Sequence, residues 1–185
     1  MATRYISRFS LVMIFTLTGC SLFQPEEIGQ EILFEYNRTN WAWGYTNYGA
    51  YMDRRGDVYS YRYGDVADEP WKPKKSGEYS ERELLDKYAH NKTYLWTVNA
   101  DTLLSMYNLI DEAAQGPYSD TTSGGADMGG WSINAYQYET KSSTYIRIRL
   151  QLIGDWRYKN ESRAADMLIP WLALNLGAGC PFRCP

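Results

Sequence analysis

The most reactive side chains of this 185-residue chain are its three cysteines, of which Cys20 has the most informative surroundings. Two arginines precede an uncharged apolar run over residues 9–17, and Cys20 follows that run closely. A basic start followed by a short apolar run is typical of an export signal. The run is too short to cross a bilayer, which takes about 20 apolar residues. We therefore expect residues 1–19 to be a signal peptide that is removed.

The residues that lead into Cys20, Leu17-Thr18-Gly19, resemble the lipobox of bacterial lipoprotein precursors. This resemblance covers the leader only. It implies that the Cys20 thiol takes a diacylglyceryl group and that the new amino terminus is acylated, for example with palmitate. Two or three acyl chains hold a protein firmly on a membrane, whereas one gives only marginal attachment. The resemblance thus implies a lipid anchor in the cell envelope.

Ser21 refines the expected location, because the aspartate that marks inner-membrane retention in many Gram-negative bacteria is missing at this position. The resemblance therefore implies the outer membrane, facing the periplasm, if the host has two membranes. Residues 154–172 are similar in character to small bacterial lipoproteins of uncharacterised function, which implies no activity and names no family.

Cys180 and Cys184 lie four residues apart near the end of the sequence. An exported chain meets an oxidising compartment, so we predict a disulfide between them. Free thiols are the main alternative. A metal site is disfavoured, because two thiolates need further ligands and the chain contains a single histidine, His90. We expect no metal and no cofactor.

No catalytic residue can be assigned from the sequence. His90 is the one candidate base for a serine or cysteine nucleophile, and its neighbours are typical of an exposed helix end. Asp120 and Asp127 lie in a glycine-rich stretch and could act as paired carboxylates in sugar hydrolysis. Aspartates are common in turns without catalysis, because their carboxylates bond nearby backbone amides. We therefore keep both as low-specificity candidates for ligand binding.

Aromatic residues crowd the first third of the domain, and they are the best candidates for a binding surface. Tyrosine and tryptophan can stack on sugar rings or receive a partner's side chains, and they also pack well across strands. The position of the tyrosine row distinguishes these readings: a row covered by helices is core, and a row that faces water is a candidate site. The candidate binding residues are Trp41, Trp43, Tyr59, Tyr61, Tyr63, Asp120 and Asp127.

The formal net charge is −3, and removal of the two leader arginines makes it more negative. Such a surface argues against nucleic acid as a partner.

The elements that position these residues follow from periodicity and turn signals. We expect a lipidated tether over residues 20–31 and one domain over residues 32–185. Strands are predicted over residues 32–36, 44–52, 58–63, 131–139 and 144–153, with two hairpins among them. Helices are predicted over residues 80–89, 100–115 and 162–176, the first with a capping box and the last containing Pro170. Residues 116–130 are predicted to be a loop.

This order predicts the α+β class, an antiparallel sheet built from two hairpins with about three helices packed on one face. The favoured function is a non-enzymatic envelope module that binds a protein or a cell-wall glycan. An inhibitor of an extracytoplasmic hydrolase and a hydrolase with loop carboxylates are the alternatives. A projecting, rigid loop over residues 116–130 would favour the inhibitor, and two carboxylates converging in a cleft would favour the enzyme.

Overall fold

The computed structural model describes residues 28–42, 44–63 and 71–177. These residues form a mixed α/β fold on one nine-stranded sheet whose paired strands are antiparallel. The strands are β1 (Ile32–Asn40), β2 (Thr46–Asp53), β3 (Asp57–Tyr63), β4 (Glu78–Ser80), β5 (Thr93–Thr97), β6 (Thr122–Ser123), β7 (Gly130–Glu139), β8 (Thr144–Gly154) and β9 (Trp156–Lys159). The helices are α1 (Glu81–Ala89), α2 (Ala100–Tyr107), α3 (Ile110–Ala114) and α4 (Arg163–Asn175).

The strand order across the sheet is β5-β3-β2-β1-β7-β8-β9-β6, and β4 pairs with β8 as well. The predicted hairpins correspond to β2 with β3 and to β7 with β8. Gly56 adopts the positive φ of +81° expected for its turn. The sheet is larger than two hairpins, because β1 joins them at the centre and four short strands extend it.

One face of the sheet carries the larger hydrophobic core. The side chains of Phe34, Met52 and Leu150 on this face are fully buried. Helices α2, α3 and α4 pack on it through Leu103, Ile110 and Leu168, among others. Three of the four helices in the described residues therefore pack on this face through their apolar sides.

The opposite face carries a second core made mostly of tyrosines, which is covered by α1. This cluster contains Ile32, Tyr51, Tyr61, Tyr79, Leu84, Tyr88, Tyr136 and Tyr145. The prediction that all helices share one face is therefore wrong for α1, whose Leu84 and Tyr88 are buried in this cluster. Tyr145 on β8 is fully buried as well, although it alternates with Arg147 and Arg149 along the strand.

The observed helix bounds confirm most of the predicted helix starts and ends. Ser80 caps α1 in a reciprocal capping box with Glu83, as predicted. The predicted helix over residues 100–115 is interrupted between α2 and α3, where the amide of Asn108 bonds back to Leu104 and Met106. Helix α4 runs through Pro170 without being split.

Residues 28–31, which the sequence places in the tether, pack against the domain. The Ile28 side chain is buried in the larger core. The buried Gln30 amide donates to the carbonyls of Ile32 and Tyr136 at 2.7 and 2.6 Å. The folded part therefore includes these four residues.

A buried ion pair between Glu35 on β1 and Lys87 on α1 joins the tyrosine face to its covering helix. Both side chains are almost completely buried, and Lys87 donates to Glu35 Oε1. Tyr61 donates to the same oxygen at 2.5 Å, while Tyr136 and Asn134 donate to Oε2 at 2.8 and 3.0 Å. The carboxylate thus accepts four hydrogen bonds, one of them from an ammonium.

Electrostatics around the pair follow from burial and from these bonds. Burial by itself would raise the pKa of Glu35, but the charge and hydrogen bond of Lys87, with the tyrosine hydroxyls, hold it below its ordinary value. Burial, together with the Glu35 charge, raises the pKa of Tyr61 and of Tyr136 well above the ordinary value, so both hydroxyls stay neutral donors.

We predict that Lys87→Met lowers the free energy of unfolding by about 3–5 kcal/mol, because it leaves the Glu35 charge buried without its partner. Adding Glu35→Gln to Lys87→Met should recover at least about 1 kcal/mol, since no buried charge remains. Urea unfolding followed by circular dichroism measures both values. Lys141→Met is the matched control, because Lys141 is an exposed lysine in the turn between β7 and β8. It should change the free energy of unfolding by less than about 0.5 kcal/mol. A double variant less stable than Lys87→Met would contradict the ion-pair account.

Candidate functional site

A cleft of about 400 Å³ opens where the end of β1 meets β7, β8 and the start of β9. It lies near the sheet edge formed by β9 and β6. The lining residues are Thr39, Asn40, Trp41, Ala42, Asp127, Gly129, Gly130, Leu152, Asp155 and Trp156.

Two tryptophans give the cleft its aromatic surface. Trp41 is 53% exposed and Trp156 is 58% exposed, although large aromatic side chains are usually well buried. Tyr45 packs against the Trp41 ring with centroids 4.5 Å apart, which supports the ring from one side. Both tryptophans therefore keep substantial ring area open to a ligand.

Asp155 fixes the loop that forms one wall of the cleft. Its Oδ1 accepts the Met128 amide at 2.8 Å, and its carbonyl accepts the Gly124 amide at 2.9 Å. The Asp155 amide in turn donates to the Gly129 carbonyl at 3.0 Å. These three bonds hold the glycine-rich loop against the start of β9.

Glycine is required at position 154, where the end of this loop lies against the end of β8. An added Cβ on Gly154 would lie 2.0 Å from the Gly129 carbonyl oxygen, and Gly154 has a φ of +150°. Asp127 adopts the left-handed conformation with a φ of +60°. Its backbone carbonyl oxygen lies 3.5 Å from the side-chain amide nitrogen of Asn40. The wall of the cleft is thus held by close backbone contacts together with the side chains of Asp155 and Asn40.

This arrangement suits a neutral, polar, ring-shaped ligand. Aromatic faces bind the apolar face of a sugar ring, while carboxylate and amide oxygens accept bonds from its hydroxyls. Asp127, Asp155 and Asn40 supply such groups beside the two tryptophans. Within the described ranges no group of three or more His, Cys, Asp or Glu could hold a metal ion.

Two of the predicted binding residues, Trp41 and Asp127, line the same cleft. Asp120 lies in a separate, shallower depression with Tyr158 and Lys159, so the structure does not bring Asp120 and Asp127 into one site. Trp43, Cys20, Cys180 and Cys184 lie outside the described residues.

The predicted row of Tyr59, Tyr61 and Tyr63 lies on the face that α1 covers. Tyr61 is buried and bonded to Glu35, so a ligand cannot reach it in the folded state. Tyr59 is half-buried and stacks on Tyr51 with centroids 5.4 Å apart. The half-buried Tyr63 packs edge-on against His90, with centroids 4.1 Å apart. Tyr61 therefore belongs to the second core, and Tyr59 packs against it.

Sequence reasoning missed Trp156 and the anchoring role of Asp155, because residues 154–161 fall between the predicted strand over residues 144–153 and the predicted helix over residues 162–176 and have no predicted element of their own. The alternation of aromatic and basic residues in Trp156-Arg157-Tyr158-Lys159 is a strand pattern, and it was the available signal. Four residues are short for such a pattern.

Comparisons with protein-family models, with curated proteins and with solved structures found no match to this chain. In the described part of the chain, no helix has the length and apolar character needed to span a membrane.

Proposed function

We propose that this chain is an exported lipoprotein, attached to the envelope membrane through lipid on Cys20, whose domain binds a cell-wall glycan. The observation that carries the binding proposal is the cleft that places the exposed rings of Trp41 and Trp156 beside the polar groups of Asp127 and Asn40. A tethered domain outside the cytoplasm would meet cell-wall glycan at high local concentration.

The cleft is better suited to a glycan than to the flat surface of a partner protein. The cleft volume of about 400 Å³ falls in the range of about 300–1,000 Å³ that is usual for small-ligand sites. Rigid walls also reduce the conformational entropy lost on binding, and the loop bonds to Asp155 supply that rigidity.

Binding is favoured over hydrolysis because the two carboxylates of the cleft have unequal roles. Asp155 already accepts the Met128 amide and holds the loop, which leaves Asp127 as the carboxylate available to a ligand. An acid–base pair would need both groups free to exchange protons with the substrate. An inhibitor role is disfavoured, because the loop over residues 116–130 is bonded along β9 at Lys159 and Asp155.

Lipidation is tested by mass spectrometry of the product isolated from bacterial membranes. We expect the amino-terminal peptide to begin at Cys20 and to carry the mass of a diacylglyceryl group with an N-linked acyl chain. Cys20→Ser should remove the lipid, because an alcohol does not form the thioether, and should shift the protein out of the membrane fraction. An intact Met1, or a mature start at Cys20 with an unmodified thiol, would contradict the proposal.

Glycan binding is tested by sedimentation of the domain with purified peptidoglycan sacculi and by tryptophan fluorescence with soluble N-acetylglucosamine tetramer. We expect Trp41→Ala and Trp156→Ala each to weaken binding by at least about tenfold, because each removes a stacking surface.

Tyr94→Ala is the matched control, since Tyr94 is 53% exposed on β5 at the opposite edge of the sheet. This variant should bind as the unaltered domain does. Absence of binding by the unaltered domain, or binding by both tryptophan variants that is as tight as that of the unaltered domain, would reject the glycan proposal while leaving the lipidation result unaffected.

A further inference from the structure

A second pocket, distinct from the tryptophan cleft, lies between the turn before β4, the strands β8 and β9, and the loop near residue 120. It has a volume of about 400 Å³. The side chains of Lys75, Arg147 and Arg149 line it, together with the hydroxyl-bearing residues Ser76, Tyr118, Thr121 and Tyr158. Among the described residues that line the pocket there is no aspartate or glutamate.

The described part of the chain supplies no carboxylate that neutralises the positive charges of this pocket. Among the described residues, neither Arg147 nor Arg149 nor Lys75 forms an ion pair with a carboxylate. The nearby buried carboxylate of Glu35 is already paired with Lys87. Three uncompensated cations around one concave site are unusual in a chain whose net charge is −3.

Arg149 is held in place with part of its guanidinium unsatisfied. Its Nη1 donates to the Tyr158 hydroxyl at 2.7 Å, and the Tyr158 ring packs edge-on against Tyr118 with centroids 5.8 Å apart. Its Nε is buried and has no hydrogen-bond partner in the part of the chain that the structure describes. A buried donor without a partner is costly, and a bound ion or water is a common reason for one.

The charge of the pocket also affects its surroundings. Burial lowers the pKa of Lys87, Glu35 opposes that effect, and the charges of Arg147 and Arg149 lower the pKa further. The two arginines are therefore close enough to Lys87 to repel it. A bound anion would relieve this repulsion.

We propose that this pocket binds a phosphate group, either inorganic phosphate or a phosphate monoester, with Arg147, Arg149 and Lys75 as its charged ligands. Arginine offers two parallel N–H donors that match the oxygens of phosphate, and Lys75 adds a point charge. A phosphate carries up to two negative charges at neutral pH and can accept bonds from several donors at once. A carboxylate, with one charge, would leave more of the local positive charge uncompensated.

The proposal is tested by NMR titration of the domain with inorganic phosphate, with sodium chloride keeping the ionic strength constant. We expect saturable binding that shifts the Nε–H resonance of Arg149. Arg147→Gln and Arg149→Lys should each raise the dissociation constant by about tenfold or more, the second because lysine keeps the charge and loses the paired donors. Acetate, the carboxylate probe, should bind at least about tenfold more weakly.

Arg157→Gln is the matched control, because Arg157 is an exposed arginine on β9 that does not line this pocket. It should change the dissociation constant by less than about twofold. Lys75→Gln, an exposed change, keeps the proposal testable if Arg149→Lys does not fold, and it should also weaken binding.

Three results would overturn the proposal. The first is that the unaltered domain shows no saturable phosphate binding. The second is that Arg147→Gln and Lys75→Gln leave phosphate binding unchanged. The third is that acetate binds as tightly as phosphate. The last result would assign the pocket to carboxylates instead.

Discussion

The buried ion pair between Glu35 and Lys87 is the interaction on which the two-sided packing of this sheet depends. A sheet that places tyrosines on one face needs acceptors for their hydroxyls, and the Glu35 carboxylate provides them for Tyr61 and Tyr136. That carboxylate can stay charged in the interior only because α1 brings Lys87 to it. The helix and the polar core are thus mutually dependent, and the remaining helices are free to fill the apolar face.

The hydrophobic pattern could predict most of the elements but not the side of the sheet on which α1 packs. Strand alternation and capping signals are local, and they identified β2, β3, β7, β8 and α1 correctly. The side depends on a contact between Glu35 and Lys87, 52 positions apart, which no local pattern encodes. Tyrosines add to the difficulty, because Tyr145 alternates with Arg147 and Arg149 along β8, a pattern typical of a solvent-facing side, and yet Tyr145 is fully buried.

The candidate cleft could be predicted only in part for a similar reason. Trp41 and Asp127 have residue types that suggest binding, and they line one site because β1 pairs with β7 directly after the glycine-rich loop. Trp156 and Asp155 lie in a segment too short to show a clear period. The pocket around Arg147 and Arg149 could not be predicted either, since these arginines are typical of solvent-facing strand residues until the turn before β4, the strand β9 and Tyr118 enclose them.

Titration of the Glu35 side-chain carboxyl, followed by carbon-detected NMR, tests the ion-pair account most directly. The account predicts a pKa below the ordinary value for glutamate. The pair then contributes stability above the unfolded-state pKa and loses it as the pH falls through the folded-state value. In Lys87→Met the pKa should instead rise above the ordinary value, because the effect of burial is then opposed only by the hydrogen bonds of the tyrosine hydroxyls. A raised pKa for Glu35 in the unaltered protein would contradict the account.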